Sequence, residues 1–451
     1  MWRVALGALV AGAAVTAEVA VTGKAGITKA LDAFVAAGAM PGYVAVLVTP
    51  GGDATLAAGG LTATEITGIA SVTKVLTAVA LADLVREGKI KVDDPVRAVI
   101  PAARNLPRFG DREITIRDLA THTSALPVGQ GGQWLPGARW WSPRVWRILF
   151  RRFVLRQNAG PLGGVTWDDL FALLANTKLS RAPGSKWEYS NIGMGLLGHA
   201  VETKAGTSWE EAVLARICRP LGMTHTTLVL PARTPPPRVH LDLGIIAGAG
   251  GLHSSAADLA LFVKAALGPA PKALIEDFAI TYQPQARDGE GKALRLGWQI
   301  DEKTGRLYHA GLSHAFIGID RSRKVGVVLI LGAQLQGIEG LGLAMLDALG
   351  GGHPDFPKPR VAIDLPAPKL AACAGAWRFD QDGWVDITIK DKVLNAQFMK
   401  GKKKGGVALL LPESDRKFFC REWDCNAEFA ADAATVKIRM YSWEGVYKKE
   451  R

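Results

Sequence analysis

The alternation of apolar and polar positions predicts two groups of β-strands. Residues 43–49 are apolar and β-branched, residues 50–53 form a Pro-Gly-Gly-Asp turn signal, and residues 54–58 are apolar again, so we expect a β-hairpin. The second group comprises strand-like runs around residue 294 and at 298–300, 307–309 and 325–331. Because the two groups lie at opposite ends of a long segment, we expect a mainly antiparallel sheet closed by both ends.

Helical patterns fill the middle of the chain and follow the second strand group. The predicted helices span residues 72–87, 167–175, 191–205, 256–266 and 338–349. From residue 351 the chain is polar and rich in proline, which is typical of a linker. Short strand-like runs then recur up to residue 449, so the end of the chain should be a small all-β module.

Together these patterns predict an α+β fold. An antiparallel sheet flanked by helices, with a helical subdomain, should be followed by a small all-β, barrel-like domain. The predicted boundaries are an N-terminal segment at 1–22, a main domain at 23–352, a linker at 353–368 and a C-terminal domain at 369–451. A chain of 451 residues is long enough for two unequal domains.

Charge and cysteine content limit the classes of partner, metal and cofactor that we expect. The chain has 54 Lys and Arg against 42 Asp and Glu, a net charge of +12, which favours anionic surfaces. It lacks zinc-finger spacing, an aromatic RNA-binding signature and a basic region leading into a heptad, so we expect no nucleic-acid partner. The four cysteines form no Cys-x-x-Cys pair, and we expect neither metal nor cofactor. Cys420 and Cys425 flank a short segment, which is compatible with a disulfide or with two buried thiols.

The first 17 residues resemble a secretory signal. Arg3 precedes an apolar run at 4–15 that is too short to span a bilayer, and Val-Thr-Ala follows as a small-residue cleavage pattern. We therefore expect export to the periplasm or the exterior. An amphipathic first helix in a cytoplasmic protein is the alternative.

A Ser-x-x-Lys motif begins an almost uncharged helix. Ser71 would lie at its N-terminus, where backbone N–H groups favour a developing oxyanion, and Lys74 returns to the same face three residues later. Burial among apolar neighbours should lower the pKa of Lys74 and make its amine a base toward serine. The alternative is a capping serine followed by a lysine that extends to solvent.

Two further motifs carry polar groups suited to the same chemistry. Tyr189 and Asn191 form a Tyr-x-Asn triplet before an apolar helix, where Tyr189 could relay a proton and Asn191 could hold Lys74 and a substrate amide. His309, Ala310 and Gly311 lie on a predicted strand, where a glycine would let a substrate backbone lie alongside, and the Leu312 N–H could complete an oxyanion hole. Either motif alone has a plain structural explanation.

The order and spacing of the three motifs resemble one family: class C β-lactamases, D,D-peptidases and β-lactamase-like esterases. Segments 88–95, 114–124, 220–223 and 250–255 resemble further motifs of that family. The C-terminal module resembles the lipocalin-like barrel of some esterase and D-aminopeptidase members, where a structural or substrate-restricting role is expected. The resemblance implies a serine hydrolase with Ser71, Lys74, Tyr189 and His309 as catalytic residues and Asn191, Gly311 and Leu312 as substrate or oxyanion contacts.

The chain departs from that family at its third motif. His309 replaces a permanent cation and Ala310 a hydroxyl, which weakens the expectation of efficient β-lactamase activity. We expect an ester, amide or small peptide as substrate, with neutral esters outpacing penicillins above pH 7 because the charge of His309 would depend on pH. The segment 303–305, Lys-Thr-Gly, matches the family triad literally but should form only a hairpin turn. A catalytically silent sensor or binding module is the alternative function.

An insertion between residues 127 and 165 combines tryptophans with an arginine stripe. Arg144, Arg147 and Arg151 share one face of a predicted helix and apolar side chains share the other, a pattern typical of an interfacial helix. We expect it to overhang the cleft or to bind an anionic membrane surface. A helix packed on the core with its arginines exposed is the alternative.

Overall fold

The computed structural model describes residues 23–127, 165–230, 239, 242–379, 383–400, 403–420, 425–440 and 443–450. The predicted signal segment 1–22 and most of the insertion, with Arg144, Arg147 and Arg151, lie outside these residues. In chain order the strands of the main domain are β1 (Tyr43–Val48), β2 (Ala54–Ala58), β3 (Thr67–Gly68), β4 (His253–Ser254), β5 (Ala286–Arg287), β6 (Ala293–Leu294), β7 (Gln299–Ile300), β8 (Leu307–Gly311), β9 (Ala315–Asp320) and β10 (Val325–Leu331).

Six of these strands form one antiparallel sheet in the order β2-β1-β10-β9-β8-β7. The first strand pairs with the last along its whole length, with Tyr43 opposite Leu331 and Val48 opposite Gly326. The prediction of a sheet closed by both ends of the domain is therefore confirmed. β9 lies in the middle of the sheet although its sequence was not predicted to be a strand.

Helices cover both faces of the sheet, so β1 and β10 are buried on both sides. Val44, Val46 and Val48 contribute to one hydrophobic core, whereas Tyr43, Ala45 and Leu47 contribute to the other. This alternation follows from the period of two along a strand. A helix at residues 23–36 and the helix Ile338–Leu349 pack on the second core.

The helical layer contains the remaining core of the main domain. In the described part of the chain its helices are Thr73–Arg86, Val96–Val99, Ile116–Ala120, Trp167–Leu174, Asn191–Ala205, Trp209–Val213, Arg219–Leu221, Ala256–Ala266 and Lys272–Tyr282, with a π-helical turn at Leu214–Cys218 and 3₁₀ turns at Ala70–Val72, Pro101–Ala103 and Gly244–Ala249. The predicted helices at 191–205, 256–266 and 338–349 are confirmed to the residue.

The C-terminal region is a closed antiparallel barrel of eight strands. These are β11 (Gly375–Arg378), β12 (Gly383–Lys390), β13 (Val393–Lys400), β14 (Lys403–Pro412), β15 (Lys417–Cys420), β16 (Cys425–Phe429), β17 (Thr435–Met440) and β18 (Trp443–Lys449). Buried Trp377, Phe418 and Phe429 pack edge-to-face in the interior, so side chains fill the barrel. The α+β fold with a terminal barrel is confirmed.

The linker and barrel contact the main domain next to β10. Asn426 Nδ2 donates a hydrogen bond to Gln336 Oε1 at 3.1 Å. The predicted linker boundary at 368 falls inside the helix Ala367–Cys373.

The structure holds all four cysteines as thiols, including the pair that could have formed a disulfide, Cys420 and Cys425. Within the described residues, none of the helices has the length and apolar character needed to cross a bilayer.

Candidate active site

Ser71 lies in a tight 3₁₀ turn between β3 and the helix Thr73–Arg86. Ala70, just before it, adopts a φ of +46°, a left-handed conformation that non-glycine residues rarely take. Ile69, Ala70 and Val72 are buried, whereas Ser71 is partly exposed. The turn thus holds Ser71 at the surface of an otherwise closed core.

Lys74 is completely buried one turn along the chain from Ser71. Its Nζ lies 2.9 Å from Ser71 Oγ and 2.9 Å from Asn191 Oδ1, and it also contacts the carbonyl oxygen of Ala249. Burial lowers the pKa of Lys74 well below its ordinary value. Among the described residues no carboxylate pairs with the amine to reverse this effect.

These contacts fit a neutral amine. Two of the three partners, Asn191 Oδ1 and the Ala249 carbonyl, can only accept hydrogen bonds, and a neutral amine has two N–H groups to donate to them. At the third contact an ammonium would donate to Ser71 Oγ, whereas the neutral amine that burial favours can accept the Ser71 hydroxyl through its lone pair. The arrangement therefore leaves Lys74 ready to take the Ser71 proton.

Tyr189 is the second side chain that contacts Ser71 Oγ. Its hydroxyl donates a 2.7 Å hydrogen bond to Ser71 Oγ, and Lys74 Nζ lies 4.7 Å from the centre of its ring. Burial raises the pKa of Tyr189, an effect only partly opposed by the bond to Ser71, so the phenol stays protonated. Ser71 Oγ therefore contacts both a proton donor, Tyr189, and a proton acceptor, Lys74.

The N-terminus of the helix Asn191–Ala205 fixes the second motif. Ser190 caps this helix by accepting a 2.9 Å hydrogen bond from the Gly193 N–H, and its own hydroxyl donates to the Pro127 carbonyl. Asn191 is the first helical residue and is buried. The cap thereby positions both Tyr189 and Asn191 next to Lys74.

His122 is a site residue that the sequence reasoning did not assign. Its ring stacks on Tyr189 with centroids 4.6 Å apart, and its Nδ1 accepts a hydrogen bond from the Ser190 N–H at 3.2 Å. Burial lowers its pKa well below the ordinary value, and nearby Lys74 and His309 add to this effect. The sequence feature that could have identified His122 is its place in the Thr-His-Thr-Ser segment, which resembles a motif of the family.

The third motif lies on β8 beside the nucleophile turn. His309 is almost fully buried, and its Nδ1–H donates to the Ala310 carbonyl at 2.9 Å. Burial, together with the nearby Lys74, lowers the pKa of His309 to about 3. The expectation that its charge varies near neutral pH is therefore wrong, because desolvation keeps the imidazole neutral.

Gly311 allows β8 to approach the nucleophile turn. A Cβ at this position would lie 2.2 Å from the Ile69 carbonyl oxygen and 3.1 Å from Ala70 Cβ. Gly311 therefore has to lack a side chain because β8 packs closely against residues 69–70. The sequence had suggested a different reason, namely contact with a substrate backbone.

We predict that Gly311→Ala lowers both stability and activity, because a methyl group would displace the turn that carries Ser71. The expected loss is about 1–3 kcal/mol in unfolding free energy, measured by denaturant titration. Gly340→Ala is the matched control, since its Cβ would find only an ordinary contact at 3.8 Å. Equal effects of the two substitutions would contradict this account of Gly311.

Leu312 and Ser313 form a strained turn after β8, with φ of +45° and +55°. His314 Nε2–H donates to the Gly68 carbonyl at 2.6 Å, and the Leu335 N–H donates to the Ser313 carbonyl at 2.6 Å. The first bond ties the turn to β3, which precedes Ser71, and the second ties it to the segment that follows β10. The Leu312 backbone is thus held next to the nucleophile turn.

The Lys303-Thr304-Gly305 segment lies in a turn, as predicted. Thr304 Oγ1 and the Lys303 N–H both bond to the side chain of Asp301, and Gly305 has a φ of +73°. The Thr304 hydroxyl is therefore used within the turn itself.

An open cleft lies next to His122, whose ring stacks on Tyr189. Its lining includes His122, Trp187, Lys292, Arg295, Trp298 and His309. The described residues contain no group of three or more His, Cys, Asp or Glu side chains placed to hold a metal ion.

Two curated relatives match part of the chain. The chain is 34% identical over 159 residues to the D-alanyl-D-alanine-carboxypeptidase/endopeptidase AmpH of Escherichia coli strain K12, covering 35% of this chain and 36% of that protein. It is 36% identical over 159 residues to Esterase EstB of Burkholderia gladioli, covering 34% and 36% respectively. The alignments thus span about a third of the length of these curated relatives.

Fold and family follow from two further matches. The octameric penicillin-binding protein homologue from Pyrococcus abyssi superposes with a TM-score of 0.54 at 20% identity, covering 92% of this chain and 97% of that one. The model of the family described as Beta-lactamase matches residues 27–336, more than half of the sequence. The chain therefore belongs to the beta-lactamase family.

Proposed function

We propose that residues 23–352 form a serine hydrolase domain that works through an acyl-serine intermediate. The observation that carries the proposal is the shared hydrogen bonding of Ser71 Oγ, with Lys74 Nζ at 2.9 Å and Tyr189 OH at 2.7 Å. A nucleophile between a neutral amine and a protonated phenol can lose its own proton and pass one on.

In the proposed acylation step, Ser71 Oγ attacks the substrate carbonyl carbon as its proton moves to Lys74 Nζ. The bond from the carbonyl carbon to the leaving atom then breaks, and Tyr189 gives that atom a proton while recovering one from Lys74. Deacylation repeats the sequence with water as the nucleophile, and Ser71 regains its proton. Asn191 holds Lys74 in place throughout.

The developing oxyanion would lie between the backbone N–H groups of Ser71 and Leu312. Support comes from the positive end of the helix after Ser71 and from the bonds that hold residues 312–314 against β3. A hole built from rigid backbone stabilises the charge without reorganising during the reaction. Gly311 supports this arrangement by letting the two turns meet.

An ester, an amide or a small peptide is the substrate class that we propose. Its support is the similarity to relatives named as an esterase and as a carboxypeptidase/endopeptidase. Weak β-lactamase activity is compatible with the same machinery. The test is hydrolysis of p-nitrophenyl acetate, an acyl-D-alanyl-D-alanine peptide and a penicillin by purified protein. Turnover of none of the three would favour a catalytically silent sensor or binding module.

We predict that His309→Lys raises the ratio of penicillin to neutral-ester hydrolysis, because an ammonium group can attract the penicillin carboxylate. The measurement is kcat/KM for both substrates in wild type and variant. In wild type, ionisation of His309 should not change this ratio between pH 5 and 8, because a pKa of about 3 keeps the imidazole neutral over that range. An unchanged ratio in the variant would exclude residues 309–311 from substrate recognition.

We further propose, from sequence alone, that the insertion binds anionic membrane surfaces through Arg144, Arg147 and Arg151. The wild type should sediment with phosphatidylglycerol vesicles at low salt, and replacing the three arginines with glutamine should abolish this without changing the melting temperature. Wild-type protein that stays in the supernatant would contradict the membrane role.

Export is also proposed from sequence alone, on the signal-like pattern at residues 1–17. Fractionation of an expressing bacterium with N-terminal sequencing of the product tests it. Unprocessed protein confined to the cytoplasm would contradict it.

A further inference from the structure

Two buried histidines line the cleft beside Tyr189, and their hydrogen bonds fix where each carries its proton. His122 Nδ1 accepts from the Ser190 N–H, which can only donate, so the proton of this ring is on Nε2. His309 Nδ1 bonds to the Ala310 carbonyl, which can only accept, so the proton of that ring is on Nδ1. Each ring is neutral because burial lowers its pKa.

The free ring positions are complementary. His122 is 7% exposed, and its Nε2, an N–H donor, has no hydrogen-bond partner among the described residues. His309 Nε2 carries a lone pair and is an acceptor. Both residues line the same cleft. Buried polar groups are normally satisfied, so an unpaired donor and an unpaired acceptor on two residues that line one cleft favour a ligand that offers the reverse pair.

The position of Tyr189 shows which part of a substrate the cleft would receive. Tyr189 delivers a proton to the leaving atom in the proposed reaction, so the leaving group lies on its side of Ser71. The stacked ring of His122 and the ring of Trp187, with its centroid 6.4 Å from that of Tyr189, continue from there into the cleft. A leaving group larger than a single small group would therefore extend between the two histidines.

We propose that this cleft is a leaving-group subsite that selects leaving groups containing an amide. His122 Nε2–H donates to the amide carbonyl, and His309 Nε2 accepts the amide N–H. Trp187 and Trp298 provide apolar walls. The inference rests on the proposed function and defines its substrate class: acyl donors whose leaving group carries an amide beyond the scissile bond.

Three aryl acetates test this subsite: 3-carbamoylphenyl, 3-(dimethylcarbamoyl)phenyl and 3-methylphenyl acetate. All three esters give the same acetyl-enzyme, so they differ only in their leaving groups. Each kcat/KM is divided by the rate constant for hydrolysis of the same ester by hydroxide, which corrects for its intrinsic reactivity. The remaining differences report how the enzyme recognises the leaving group. The normalised kcat/KM of the 3-carbamoylphenyl ester should be about tenfold higher than that of the other two esters, which is the effect of one or two net hydrogen bonds. The 3-(dimethylcarbamoyl)phenyl ester lacks the amide N–H, and the 3-methylphenyl ester lacks the amide. Wild-type ratios within about twofold would overturn the inference.

Two variants test the residues. In His122→Asn and His309→Asn the shorter side chain can keep the bond made by Nδ1 but cannot supply Nε2, and each should reduce the preference to about threefold or less. His199→Asn is the control, since His199 is also partly buried but stacks on Trp167 away from the cleft. Retention of the full preference in both site variants would overturn the assignment. Failure of every ester to acetylate Ser71 would instead overturn the proposed function, and the wild-type comparison decides the matter if a variant does not fold.

Discussion

Ser71→Ala should lower kcat/KM for every substrate of the enzyme by about 10⁴-fold or more, the scale seen when a catalytic nucleophile is removed. The proposed reaction has no second route, because Lys74 and Tyr189 both act through the Ser71 oxygen. The measurement is hydrolysis of p-nitrophenyl acetate corrected for the rate in buffer.

A matched serine substitution separates this effect from folding. Ser208 caps the helix Trp209–Val213 by accepting a hydrogen bond from the Glu211 N–H, and it is exposed. Ser208→Ala should lower the unfolding free energy by about 1 kcal/mol and leave activity intact. Ser71→Ala should show the opposite pattern. Comparable activity in the two variants would contradict the role of Ser71.

Lys74→Met should lower the rate of acylation by about 10²–10⁴-fold, the usual contribution of a general base. Methionine fills a similar volume but leaves Asn191 Oδ1 and the Ala249 carbonyl without the donor they now share. Stopped-flow measurement of the acylation burst reports this step directly. A burst rate within a few-fold of wild type would show that another group removes the Ser71 proton.

The same variant tests the protonation state of Lys74. Because burial depresses the folded pKa, the unfolded lysine binds a proton that the folded one releases. The stability contribution of Lys74 therefore rises as pH increases from the folded pKa toward the unfolded value of 10.5, by about 1.4 kcal/mol per pH unit at most. Wild type should gain stability relative to Lys74→Met between pH 7 and 10. A constant difference would indicate a lysine with an ordinary pKa.

Elements defined by local signals could be predicted from the sequence. The turn at 50–53 specified the first hairpin, and Gly206 ended the helix Asn191–Ala205 with a φ of +71°. The three motifs were found because each lies at the start of a helix or on a strand with a recognisable pattern. Their mutual distances needed the structure.

Features that depend on tertiary packing could not be predicted. β9 is buried on both faces and therefore shows no alternation between apolar and polar residues. The neutral state of His309 results from burial by distant segments, and the role of Gly311 depends on the Ile69 carbonyl, 242 positions earlier by their residue numbers. His122 became a site residue only when the loop that carries it packed on Tyr189.

Mapping a covalent adduct tests the central claim most directly. Purified protein is treated with a fluorophosphonate, its intact mass is measured, and the modified peptide is sequenced by mass spectrometry. We predict one adduct per chain, located on Ser71, and none in Ser71→Ala. Wild-type protein that hydrolyses p-nitrophenyl acetate but carries its adduct on another residue, or carries none, would contradict the acyl-serine mechanism.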